Sequence, residues 1–178
     1  MNSQKRVFAV FAAMLAAGLC LTAPLSLPLG PLPLTLGTLG LFLIAGLLPP
    51  LYTAEAVGIY LLLGICGLPV FAGFCGGAAV LTGPTGVYLW GYLPAAVLAS
   101  WISRRRPARW RYPAALVTAT AIMYLTGTLW YGYTAQLPLP TAFLSGVVPF
   151  LPGDAVKIAV AALLCPQIQR RLPVNYRL

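Results

Sequence analysis

"PTGVYLWGYLPAAVLASWISRRR", residues 84–106, runs for twenty residues without a charge and then meets three arginines in a row. A helix needs roughly 20 predominantly apolar residues to cross a bilayer. Lys and Arg gathered just beyond such a helix mark its cytoplasmic end. This one stretch therefore predicts a membrane span with a cytoplasmic C-terminal flank.

The rest of the chain repeats the pattern. Of 178 residues 60% are hydrophobic and 7% charged, against about a quarter charged in a soluble domain. A fold built from these residues has too few polar groups to cover itself in water. Apolar runs near 6–23, 36–50, 53–68, 84–103, 111–131 and 152–170 predict an all-α membrane protein, a single domain over 1–178 made of six transmembrane helices. The run at 36–50 is short and glycine-rich and needs tilt or packing to span. "APLSLPLGPLPLTLG" (23–37) is too rich in proline for a helix and reads as an extended loop. The stretches 68–86 and 132–151 read as irregular. Lys5 and Arg6 before the first run give it some likeness to a signal peptide, but the multi-spanning remainder favours an uncleaved first helix.

Charge placement supplies the topology. Lys5 and Arg6 precede the first span, Arg104, Arg105, Arg106, Arg109 and Arg111 lie between the fourth and fifth, and Arg170, Arg171 and Arg177 follow the sixth. Six spans put all three groups on one side, so both termini are expected to be cytoplasmic. The loops of the opposite side carry no Lys or Arg. Trp101 and Trp110 flank the arginine cluster, and Trp130, Tyr131 and Tyr133 lie toward the other face, as interfacial belts do. The net charge of +9 is thus topological and argues for a lipid bilayer rather than nucleic acid as the partner.

What is missing narrows the function. There is no histidine, and Glu55 and Asp154 are the only acids. Most metal sites, catalytic triads and paired-carboxylate mechanisms are excluded. Cys20, Cys66, Cys75 and Cys165 form no CxxC pair, and no phosphate-binding GxxxxGK[ST] motif occurs. Neither an enzyme nor a resident cofactor or metal is expected.

Two features break the apolar pattern. In "LPGDAVKIAV" (151–160) Asp154 and Lys157 stand three apart, on one face at the outer head of the last span. Each charge at mid-membrane costs about 2.5–3.5 kcal/mol, less toward the interface. Either they neutralise each other, with Lys157 reaching the headgroups, or they face a cavity as acceptor and donor for a polar ligand. The second feature is "AGFCGGAAVLTGPTGVYLWG" (72–91), where glycines allow sharp turns or close approach, and irregular backbone at membrane depth must be buried or line a cavity. Thr82 or Thr85 is placed to cap the helix that Gly83-Pro84 opens. This loop falls on the same outer side as Asp154 and Lys157. On the first span Ala9, Ala13 and Ala17 recur every four residues, beside Ala12 and Ala16, a stripe that suits internal packing and a partner subunit equally well.

"GGAAVLTGPTGVYLWGY" and "FLPGDAVKIAVAALL", with "LPLTLGTLG" at 32–40, together resemble the BioY family, the biotin-binding S components of energy-coupling factor (ECF) transporters. The resemblance covers nearly the whole chain. It implies a six-helix protein in a prokaryotic cell membrane that captures biotin from outside. It further implies that Asp154 and Lys157 contact the vitamin, that the loop around Cys75, Gly76 and Gly77 lines the pocket, and that Phe74 and Tyr88 enclose the ring. The alanine stripe, Ala9, Ala13 and Ala17, corresponds to a docking surface for the transmembrane coupling subunit, with two ATPase subunits completing the transporter. Three positions depart from the family pattern: Gly37, Cys75 and Leu89 stand where members carry Gln, Asn and Arg respectively. Each departure removes a polar group. An S component for another vitamin, or a structural membrane subunit, is the alternative.

Overall fold

The computed structural model describes residues 3–28, 33–83, 86–105 and 110–171. Pro84, Thr85, Arg106, Arg109 and Arg177, singled out above, lie outside the described residues. The helices are α1 (Ser3–Thr22), α2 (Gly37–Leu47), α3 (Pro50–Ile65), α4 (Ala78–Thr82), α5 (Gly86–Arg104), α6 (Arg111–Thr134), α7 (Leu139–Gly146) and α8 (Leu151–Arg171). Single 3-10 turns at Ala72–Phe74 and Val148–Phe150 precede α4 and α8.

Four differences from the sequence expectation are local. The proline-rich loop after α1 is extended but not unpaired, since β1 (Ser26–Pro28) and β2 (Pro33–Thr35) form an antiparallel hairpin. The stretch 132–151, expected to be irregular, contains α7. Its prolines occupy the cap and first turn, where a missing N–H costs nothing, so they start the helix rather than break it. Likewise α3 begins at Pro50 rather than near 53. Thr82, an expected cap, instead donates to the Ala79 carbonyl at 3.0 Å.

By length and apolar content, Gln4–Thr22, Arg111–Thr134 and the continuous Leu139–Arg171 segment can each cross a membrane. Helices α2 and α3 are apolar but only 11 and 16 residues long. Among the described residues, length and apolar content together thus support three of the six expected spans.

The helices pack through small residues. Ala12 and Ala16 of α1, Ala56 of α3, Ala95, Ala96 and Ala99 of α5, and Ala115 and Ala119 of α6 are all buried in one core, as close approach of apolar helices requires. The alanines of α1 divide cleanly: Ala12 and Ala16 are buried, Ala9, Ala13 and Ala17 exposed.

Where α2 meets α3 the chain reads Leu48-Pro49-Pro50, and the prolines have no N–H to offer the last carbonyls of α2. Side chains from four helices supply donors. Gln169 Nε2 reaches the Gly46 carbonyl at 2.8 Å, the Tyr112 hydroxyl reaches Phe42 at 2.7 Å, and Ser100 and Thr53 reach Leu48 at 2.6 and 3.1 Å. These bonds gather the C-terminal ends of α2, α5 and α8 with the start of α6, so Arg104, Arg111, Arg170 and Arg171 lie toward one end of the bundle. The functional residues below lie toward the other. From Lys157 to Gln169 is about 18 Å along α8 at 1.5 Å per residue.

Candidate ligand-binding site

A cavity of about 320 Å³ opens at the end of the bundle remote from the arginines. It is within the range of about 300–1,000 Å³ usual for small-molecule sites. Its wall draws on nearly every element: Thr35 of β2, Thr38 of α2, Tyr60 of α3, Phe71 and Cys75 of the following loop, Val80 of α4, Tyr88, Leu89 and Tyr92 of α5, Met123 and Tyr124 of α6, Phe150, and Asp154 and Lys157 of α8. Among the described wall residues only Cys75 is exposed, which marks the mouth.

Asp154 and Lys157 form the polar centre. The helix brings them onto one face, where Lys157 Nζ donates to Asp154 Oδ1 at 2.8 Å. Both residues are buried, at 6% and 7% exposure, so Lys157 does not reach for the headgroups. Two residues that no local sequence pattern announces complete the network. Thr38 accepts from Lys157 Nζ at 2.9 Å and stands 3.3 Å from Asp154 Oδ1, to which its hydroxyl donates. The Tyr124 hydroxyl donates to Asp154 Oδ2 at 2.6 Å. A carboxylate presents about four lone-pair sites and an ammonium three donors. Asp154 accepts three bonds and Lys157 donates two, so each retains one unused position beside the cavity.

Because Tyr124 holds one oxygen of a buried carboxylate, Tyr124→Phe removes a charge-assisted hydrogen bond. It is expected to lower stability by about 1.5–3 kcal/mol, read as a fall in thermal unfolding temperature in detergent.

Five further rings, those of Tyr60, Phe71, Tyr88, Tyr92 and Phe150, stand on the remainder of the wall. Tyr60 meets Phe71 edge to face at 5.6 Å and stacks against Tyr92 at 6.4 Å between ring centres. Phe71 lies so close over Gly64 that any side chain there would collide with its ring. Tyr88 is also on the wall, its hydroxyl tied to the Gly146 carbonyl at 2.9 Å. Gly37 is tightly packed: an added Cβ would stand 3.0 Å from Ala23 Cβ and 3.2 Å from the Tyr92 hydroxyl, so a side chain there requires its neighbours to give way slightly.

The sequence-selected residues thus divide. Asp154, Lys157, Cys75 and Tyr88 come together on the wall. Phe74 does not: it is 65% exposed with φ +59°, after Gly73 at φ +69°. This left-handed turn leaves the wall position to Phe71. Gly76 and Gly77 are not among the wall residues. Gly76 packs against the Leu68 carbonyl, where a Cβ would clash. Gly77 adopts φ +98° and donates its N–H to the Gly64 carbonyl at 2.7 Å, a conformation that L side chains rarely adopt.

Comparison with known proteins gives a consistent picture. A profile of the BioY family matches residues 1–174. The chain is 37% identical over 161 residues to the biotin transporter BioY of Thermotoga maritima, covering 90% of this chain and 92% of that protein. It is 35% identical to a probable biotin transporter BioY of Pyrococcus horikoshii, over 90% of this chain and 93% of the other. The fold superposes, with a TM-score of 0.91 and 25% identity, on the crystal structure of the S-component for biotin from an ECF-type ABC transporter, covering 99% of this chain and 98% of that one.

Proposed function

The chain belongs to the BioY family, and on that premise we propose that it captures biotin in the cavity around Asp154 and Lys157 as the substrate-binding S component of an ECF transporter. It is a transport protein and not an enzyme. One observation carries the assignment of the site: a buried, paired carboxylate and ammonium with one acceptor position and one donor left between them. A cyclic urea presents an N–H donor beside a carbonyl acceptor. Its N–H donates to Asp154 and its oxygen accepts from Lys157, without either residue giving up its present partners. The aromatic wall of Tyr60, Phe71, Tyr88 and Tyr92 encloses the apolar bicyclic body, as expected of a mostly apolar site with few polar groups.

The finer topology belongs to the same proposal. Six spans are reached if α2, α3 and α5 cross by packing against their longer neighbours, with the termini in the cytoplasm of a prokaryotic cell and the cavity facing out. The arginines toward the opposite end of the bundle support this orientation. The exposed alanines Ala9, Ala13 and Ala17 then offer a flat face to the transmembrane coupling subunit, and two ATPase subunits supply the energy.

The direct test is equilibrium binding of biotin to the purified protein in detergent. Saturable binding at one site per chain is expected. A folded protein that binds no biotin would remove the substrate assignment and direct attention to other vitamins.

A further inference from the structure

Resting on that reading, we infer that this cavity recognises the ureido headgroup and does not read the ionised tail, so that biotin derivatives with an uncharged tail are ligands of similar strength. The inference begins with an inventory of charge. The sequence holds 11 basic and 2 acidic residues, and among the described residues only Asp154 and Lys157 of these reach the cavity wall. The adjoining stretches 29–32 and 84–85, which lie outside the described residues, carry no charged side chain. Glu55 of α3 is exposed, and Arg104, Arg111, Arg170 and Arg171 lie on the elements gathered toward the far end.

Among the described residues Lys157 is therefore the one cation on the cavity wall that a ligand carboxylate could meet, and it is already engaged. It lies 2.8 Å from Asp154 Oδ1 and 2.9 Å from the Thr38 hydroxyl. A second carboxylate on its remaining donor would lie within a few ångströms of Asp154, and two like charges sharing a buried site repel strongly. The pair is neutral as a unit and gives an anion no net attraction. Away from the pair, the wall carries only apolar groups, hydroxyls and the Cys75 thiol at the mouth. Hydroxyls can donate to an amide or ester oxygen as well as to a carboxylate, and the stronger bond to the carboxylate is set against the greater cost of drying an ionised group. With no cation to hold it, the ionised end of the tail is best left in water beyond the mouth, where replacing it by an uncharged group changes little.

The test is competition against labelled biotin on the wild-type protein in detergent, using biotinamide and biotin methyl ester beside unlabelled biotin. A charge-assisted contact to the carboxylate would contribute about tenfold or more in affinity, so tenfold is the dividing line. Both neutral derivatives are expected to compete within tenfold of biotin. Tight binding of biotin with the neutral derivatives more than tenfold weaker overturns the inference and leaves the biotin reading intact. That result would mean that Lys157 turns to the tail. Absence of biotin binding itself brings down the wider reading and the inference with it.

Discussion

Asp154→Ala and Lys157→Ala are each expected to weaken biotin binding by about 2–5 kcal/mol, or about 30-fold to several thousand-fold. The loss has two sources. Each variant removes a direct contact to the ligand, and each also strands the opposite charge in a buried site. At 2.8 Å the two side chains neutralise one another, and losing one partner of such a pair costs more than the pair contributes. The same stranding lowers the stability of the ligand-free protein, so a thermal melt must accompany each titration. The double variant separates the two sources. With both charges gone no stranded charge remains, and its melting temperature is expected to recover above that of either single variant, while biotin binding stays lost. Unchanged affinity in both folded single variants would place the biotin site elsewhere.

The sequence made this pair visible because a helix imposes its own arithmetic. Residues three apart share a face, and two charges in an apolar run can be satisfied only by each other or by a polar cavity. The rest of the network had no such signature. Thr38 lies 116 positions from Asp154 and Tyr124 lies 30 away, and each sits in a helix whose local pattern is merely apolar. Only the packing of α2 and α6 against α8 makes them ligands of the carboxylate. Choosing between Phe71 and Phe74 was equally beyond local pattern, because the outcome depends on the left-handed turn at Gly73 and Phe74 and on the gap that Gly64 leaves for a ring. Of the glycine-rich loop Cys75 lines the cavity, whereas Gly76 and Gly77 are not among its wall residues. Proline misled where it was taken only as a breaker, since α3 begins on Pro50 and α7 carries Pro138 at its cap and Pro140 in its first turn. The charge pattern offers an orientation because few charges are present, and Arg104, Arg111, Arg170 and Arg171 lie toward the end remote from the cavity.

The alanine stripe leads to the second large effect. Ala13→Trp is expected to reduce association with the coupling subunit at least tenfold while leaving biotin affinity within about twofold. Ala13 is exposed on α1, one residue from buried Ala12 and three from buried Ala16. An indole at 13 therefore projects from the bundle without disturbing the core, and it obstructs a surface that depends on small residues for close approach. Ala16→Trp is the control of opposite character. At 1% exposure its site has no free volume, and overpacking a filled core costs about 1–3 kcal/mol or more. That variant is expected to melt early and to lose biotin binding as well as assembly. The two substitutions share chemistry and helix and differ only in face, so their contrast locates the docking surface. If Ala13→Trp assembles normally, the coupling subunit approaches another face of the bundle. If it loses biotin binding, Ala13 serves internal packing.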